Sequence, residues 1–293
     1  MARMGKKVLL IDLDGQANLT LYFIPNEDEV QASIFDSLVD GAPLPVKHIR
    51  ENLDLVPSSL EMASAEIALT NLLAREQLLS RLLESVKQNY DYILIDCPPS
   101  LGIVTTNAFL AADEIIVPMT PELLPLKGMR MLDSFVSTLQ RVKPNLRLGG
   151  VFIARFNHRK LNKVVEQAVK SRYETITMKT RIRENIALAE SAGSGQSIFE
   201  YDPQSNGAKD YQALTEEIIS RCTFLTFLIV SVLRFNRYEA WFCFFILRNE
   251  QIQVIDYQND FRNPCTTLLF AAVFRSVYGC KVNKKSQNRA HIL

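Results

Sequence analysis

The sequence lacks most of the features that mark secreted, metal-binding or membrane-spanning chains. Its five cysteines have no regular spacing, which gives neither a metal motif nor a disulfide framework. Only Cys97 falls within the first 221 residues, as suits a reducing compartment. No charged n-region, apolar h-region and cleavage site open the chain, so no signal peptide is expected. No apolar run approaches the ~20 residues that a membrane-spanning helix needs. Charge of either sign is not in excess: 33 basic and 32 acidic side chains leave a formal net charge of +1, which by itself implies no partner. There is no internal repeat and no low-complexity linker.

What is present is an ordinary apolar share of 47% over 293 residues, enough for a sizeable core. Residues 1–221 alternate between two patterns. Short aliphatic runs predict strands at 7–13, 53–57, 91–96, 114–118 and 148–155. Helical periodicity predicts helices at 30–40, 60–88 with a break, 103–111, 121–142, 158–172, 183–192 and 205–221. Asp40-Gly41-Ala42-Pro43, Lys143-Pro144-Asn145 and Asp202-Pro203 punctuate them. Strands alternating with helices predict an α/β fold, a mostly parallel sheet with helices on both faces.

Near residue 222 the composition changes. The stretch 222–293 holds four of the five cysteines, the single tryptophan and half of the aromatic side chains. Its two apolar runs, Cys222–Leu233 and Ala240–Leu247, show neither a clean helical nor a clean strand period. The stretch reads as a recombined or read-through end and not as a natural domain; a membrane-associating segment is the alternative.

Two aliphatic runs end on carboxylates: Val8-Leu9-Leu10-Ile11-Asp12-Leu13-Asp14 and Tyr92-Ile93-Leu94-Ile95-Asp96. Strands of a parallel sheet read this way, and ligands sit beyond their carboxyl ends. Asp96 has the place of a Walker-B acid that holds magnesium through water. Of Asp12 and Asp14, one can face the site while the other braces the loop. Pro98-Pro99 removes two backbone donors and ends the second strand.

The motifs Asp12-Leu13-Asp14-Gly15-Gln16-Ala17-Asn18 and Asp96-Cys97-Pro98-Pro99-Ser100-Leu101-Gly102 resemble those of the ParA/Soj group of DNA-partitioning ATPases, relatives of MinD with a deviant Walker A motif. That group carries Pro where this chain has Gly15, and Gly where it has Ala17. The resemblance continues through Ala111–Pro118, Arg183–Ser191 and Phe199–Ala208, and covers roughly residues 2–221. It implies that Asp14 positions the attacking water and Asp96 holds Mg2+. The stretch Asp96–Gly102 then senses the γ-phosphate, with Asp12, Gln16, Asn18 and Pro98 around the nucleotide and Asn157 near adenine. ATP and Mg2+ are the implied cofactors. A homodimer formed on ATP, nonspecific DNA and a ParB-like centromere-binding protein are the implied partners, in a cytoplasmic, nucleoid-associated protein.

One element of that pattern is missing. The group's first strand, its Lys-Gly-Gly-x-Gly-Lys-Thr loop and its first helix have no counterpart here. Met1-Ala2-Arg3-Met4-Gly5 reads as the last turn of that helix, ended by Gly5. The chain is therefore expected to be a P-loop NTPase type without its first strand, P-loop and first helix, and inactive as an ATPase. A buried central strand contributes roughly 6–12 kcal/mol through about four aliphatic side chains. That rivals a whole domain's stability of about 5–15 kcal/mol, so a marginal fold with open strand edges is expected. No strand pattern in 222–293 recommends it as a substitute.

Between Arg155 and Arg183 lie nine basic residues, opposed locally by Glu166 and Glu174 alone. Such a cluster fits sequence-independent contact with phosphate backbones, and a solvated helix face fits it equally on charge alone. With the resemblance, Lys170, Arg172, Arg181 and Arg183 become the expected DNA contacts. A non-catalytic DNA- or partner-binding remnant and a MinD-like membrane-associated ATPase remain as alternatives.

Overall fold

The run Val8–Asp12 forms strand β1, buried at every position, as expected of a strand with neighbours on both sides in a sheet covered on both faces. The computed structural model describes residues 1–121, 123–221 and 226–231; for 123–127 and 226–231 the description is of the backbone. All described residues belong to one unit. Around β1 stand β2 (Lys47–Arg50), β3 (Leu53–Val56), β4 (Tyr92–Cys97), β5 (Glu114–Met119), β6 (Arg147–Phe156), β7 (Thr177–Arg183) and β8 (Thr226–Ser231). They form one sheet in the order β2-β3-β1-β4-β8-β5-β6-β7. Only the β2–β3 pair is antiparallel. Asn52, left-handed at φ 58°, makes its turn.

The position of β8 overturns one expectation. The slot between β4 and β5 is filled from the stretch in which no strand pattern was read: Tyr92 pairs with Thr226 and Cys97 with Ser231 on one side, and Glu114 with Leu228 on the other. The expected open edges are absent there. A strand covered on both faces needs no alternation, so Thr226-Phe227-Leu228-Ile229-Val230-Ser231 shows no period of two by which to recognise it.

Ten α-helices are described: α1 (Asn18–Phe23), α2 (Ile34–Val39), α3 (Ala65–Ala68), α4 (Leu78–Glu84), α5 (Ile103–Ala111), α6 (Leu123–Leu139), α7 (Lys160–Tyr173), α8 (Ile186–Gly193), α9 (Ile198–Tyr201) and α10 (Asn206–Arg221). Helices cover both faces of the sheet. The predicted helix over 60–88 is broken into short 3-10 and α pieces, Leu60–Ser64, α3, Leu69–Asn71, Arg75–Gln77 and α4. Ala2–Met4 is a single 3-10 turn closed by Gly5 at φ 76°, the glycine stop read from the sequence. Helix α2 begins with a Ser33/Asp36 capping box, and α9 with one of Ser197 and Glu200, each satisfying donors that a helix start leaves open. Among the described residues no helix is long and apolar enough to cross a membrane.

Edge strand β7 is protected by side chains of α10. Glu217 accepts the N–H groups of Lys179 and Thr180, both at 2.9 Å. Asp210 accepts the N–H of Arg183 at 2.9 Å. Carboxylates thereby replace the missing neighbour strand.

Candidate functional site

Strands β1 and β4 pair in register, and the last partners are Asp12 and Asp96. Parallel neighbours stand ~4.8 Å apart, so the sheet itself brings these two acids together. Leu13 N–H then donates to the Asp96 carbonyl at 2.8 Å, carrying the ladder one residue further and aiming Asp14 past the strand end.

Asp12 is fully buried and braces the loop. It accepts from Thr20 Oγ1 at 2.7 Å, Thr20 N–H at 2.8 Å and Asp14 N–H at 3.1 Å. Burial pushes its carboxyl up to about 7, with Asp14 adding to the rise against the pull of the three donors. Thr20 Oγ1 also accepts from Ser58 N–H at 2.8 Å, and Ser58 Oγ donates to the Asp14 carbonyl at 2.8 Å, so the end of β3 is tied to the same loop. The Cys97 thiol is pushed well up by burial first and then by the charges of Asp96, Asp14 and Asp12. The three acids stand at the same carboxyl edge of the sheet, and among the described residues no three acids, histidines or cysteines are grouped so as to hold a metal ion.

The loop after β1 closes on itself. Gln16 N–H donates to Asp14 Oδ1 at 2.9 Å and Ala17 N–H to the Asp14 carbonyl at 2.8 Å. Gln16 is exposed, and Asn18 opens α1. Ala17 stands at φ 50°, a left-handed conformation that costs a residue with a Cβ roughly 1–2 kcal/mol. In the loop after β4, Ser100 N–H donates to the Pro98 carbonyl at 2.8 Å.

Mg2+ is usually held by one or two carboxylates and several waters, a demand that Asp96 alone can meet. The phosphate side does not fit a triphosphate. No Gly-rich loop with a lysine follows β1 or β4, and the Gln16 and Ala17 amides are committed to Asp14. The first amide of α5 is taken as well, by Glu66 Oε2 at 2.8 Å. Among the described residues the amides of Gln16, Ala17 and Ile103 are therefore not open to a phosphate.

Asn157 lies elsewhere. It follows β6, four strand positions from β1, roughly 19 Å by sheet spacing. Its amide is engaged in local bracing: Asn157 Nδ2 donates to Glu184 at 3.0 Å, and its oxygen accepts from Arg159 N–H at 3.2 Å.

The four cations expected to contact DNA are all paired. Lys170 and Arg181 both reach Glu166 Oε1, at 2.7 and 2.9 Å. Arg172 reaches Asp133 at 3.0 Å, and that carboxylate also accepts from Tyr173. Arg183 grips Asp210 through Nε and Nη2 as well as its own backbone N–H. The local charge count missed Asp133, Asp210 and Glu217 because they lie outside the segment. Lys170, Lys179, Arg181 and Arg221, with Ser171 and Thr175, line an open groove of about 820 Å³. Lys179 and Arg221 were not singled out in the sequence. The alternation Met178, Thr180, Ile182 against Lys179, Arg181, Arg183 was the available signal for β7.

The chain matches the family model described as AAA domain over residues 1–148. It is similar to the sporulation initiation inhibitor protein Soj of Bacillus subtilis, 39% identical over 224 residues, 74% of this chain and 88% of that protein. Among solved structures it is similar to a plasmid partition protein from Borrelia burgdorferi bound to AMPPNP, with TM-score 0.65 and 25% identity over 75% of this chain and 88% of that one. It is also similar to cobyrinic acid a,c-diamide synthase from Mycobacterium smegmatis with bound ATP analog and magnesium, with TM-score 0.63 and 28% identity over 77% of this chain and 88% of that one.

Proposed function

Because the chain belongs to the ParA/Soj family of partitioning ATPases, we propose that it serves plasmid or chromosome partitioning as a DNA-binding member whose 293 residues do not themselves hydrolyse ATP. The division of its site carries this reading. Asp12, Asp14 and Asp96 stand at the adjacent carboxyl ends of β1 and β4, while the amides of Gln16 and Ile103 are committed to Asp14 and Glu66. Bound Mg2+ would supply charge neutralisation at the phosphates. In this reading Asp96 holds that ion, Asp14 orients the attacking water, and Asp12 keeps the loop in shape. Gln16, Asn18 and Pro98 border the same edge, and Asn157 is a distant adenine contact. In this reading the described residues supply no grip on the triphosphate.

The DNA half of the reading rests on the groove between α7 and β7. Its cations are paired: the exposed Arg172–Asp133 pair contributes only about 0.2–1 kcal/mol, whereas Glu166, shared by Lys170 and Arg181, is buried. Lys170 and Arg181, with side chains 49% and 39% exposed, can meet a phosphate while they keep Glu166. Arg172 can exchange its carboxylate for a phosphate. Arg183, bound at three points to the buried Asp210, acts more as a brace for β7. A homodimer closed on ATP and a ParB-like centromere-binding partner follow from family membership and require the phosphate grip. Association with the nucleoid in the cytoplasm follows from DNA binding alone.

Two measurements test this. Purified protein should turn over ATP no faster than its Asp96→Ala variant; turnover that Asp96→Ala abolishes would overturn the inactivity. A gel shift on nonspecific duplex should appear without nucleotide and weaken with salt. About three neutralised phosphates would give a log–log slope near −2.7. No shift at low salt removes the DNA half.

A further inference from the structure

We infer that the segment Leu60–Ala68 is a clasp that makes the two acidic strand ends one mechanical unit, with Glu66 as its positioning residue. The segment is a 3-10 turn, Leu60–Ser64, continuous with α3, and it touches both loops. On one side it lies against Gly15, where an added Cβ would stand 2.6 Å from Ala63 N and 2.9 Å from Ala63 Cα. On the other, Glu66 Oε2 accepts the Ile103 N–H that opens α5, at 2.8 Å. An added Cβ on Gly102 would overlap the same carboxylate.

Neither glycine has a positive φ. Backbone freedom is therefore not what these positions use; both provide room for a close approach. A carboxylate at a helix start is favoured by the orphan donors and by the dipole there. Glu66 Oε1, by contrast, is buried with no donor among the described residues, so the carboxylate is held on one side only. A buried acceptor without a partner weakens the closed arrangement, as a latch that must release requires. The base of the clasp is tied down as well, since Ser59 Oγ donates to Ser33 Oγ at 2.9 Å and the neighbouring Ser58 Oγ donates to the Asp14 carbonyl. Loop 14–18, segment 59–68 and loop 98–103 therefore move together. The coupling needs no nucleotide and stands apart from the function proposed above.

Amide hydrogen exchange on the full chain tests it. Glu66→Ala should raise exchange about tenfold at 103–106 and also at 14–18, while β6 and β7 keep parental protection. Gly102→Ala introduces a Cβ whose three nearest atoms all belong to the far end of the Glu66 side chain, so it should evict the carboxylate and give the same footprint. Glu66→Gln keeps an acceptor for Ile103 N–H and should restore parental exchange at both loops. Faster exchange confined to 103–106, with 14–18 unchanged, would reduce Glu66 to a simple helix cap and overturn the inference. If Glu66→Ala loosens the whole sheet, the footprint of Gly102→Ala decides between the same two outcomes.

Discussion

On one side of β8 the β1 and β4 strand ends hold three acids; on the other, α7 and β7 hold most of a nine-cation cluster. Asp12 is held by hydrogen bonds from nearby Thr20 and Asp14. The four cations expected to contact DNA each meet a carboxylate, and Asp133 and Asp210 come from distant parts of the chain. A charge read from sequence keeps its meaning when its partners are local and loses it when they are not. At the acidic end Asp12, whose hydrogen-bond partners are local, keeps a carboxyl raised by burial. The basic end is already near balance, and any DNA must compete for it.

The largest effect on this contrast should come from deleting 222–293. Without β8, β4 and β5 lose their shared neighbour and the two ends part. The expected loss is on the order of a whole domain's stability, about 5–15 kcal/mol. It should appear as loss of a cooperative thermal transition and as aggregation on size exclusion. A chain ending at 253 keeps β8 and serves as the comparison.

Next in size is Asp12→Ala, which leaves Thr20 N–H, Thr20 O–H and Asp14 N–H without their acceptor. A loss of about 3 kcal/mol is expected by denaturant titration. Asp12→Asn sharpens the electrostatic side. An acid raised from 3.8 to about 7 on folding holds its proton more tightly in the folded state. Its contribution is complete below the unfolded value and is lost as pH rises through about 7. The parent should therefore lose stability relative to Asp12→Asn between about pH 4 and pH 7, and equal slopes for the two proteins would contradict the assignment.

On the basic side, Glu166→Gln releases Lys170 and Arg181 together. Nonspecific duplex should then bind several-fold more tightly at low salt, with a log–log salt slope steeper by up to about 1.8. An unchanged slope would mean that these cations do not reach phosphate. The smallest effect is expected of Ala17→Gly, which relieves the φ of 50° in the loop after β1. A gain of about 0.5–1 kcal/mol should move the denaturant midpoint with no change in its slope.

Much of the sheet was legible because burial on both faces leaves unbroken aliphatic runs, as in Val8–Asp12 and Tyr92–Cys97. Strand β2 was not, being a four-residue edge strand with alternating exposure. Strand β7 was hidden because its outward residues are the cations that drew attention as a charge cluster. Helix α1 is preceded by Ala17, whose side chain offers no cap, so no start signal marks it. Glu66 could not be found from sequence, since its partner Ile103 lies 37 residues away.

The sequence by itself determined that acids would gather at adjacent strand ends. Strand direction and residue period fix that arrangement, and the residues that brace it lie close by, as Thr20 lies eight positions from Asp12. Only the tertiary structure decided which segment fills the centre of the sheet and which cations are already paired. Those outcomes depend on meetings between residues such as Arg172 and Asp133, 39 positions apart, and on the insertion of Thr226–Ser231 between strands formed more than a hundred residues earlier.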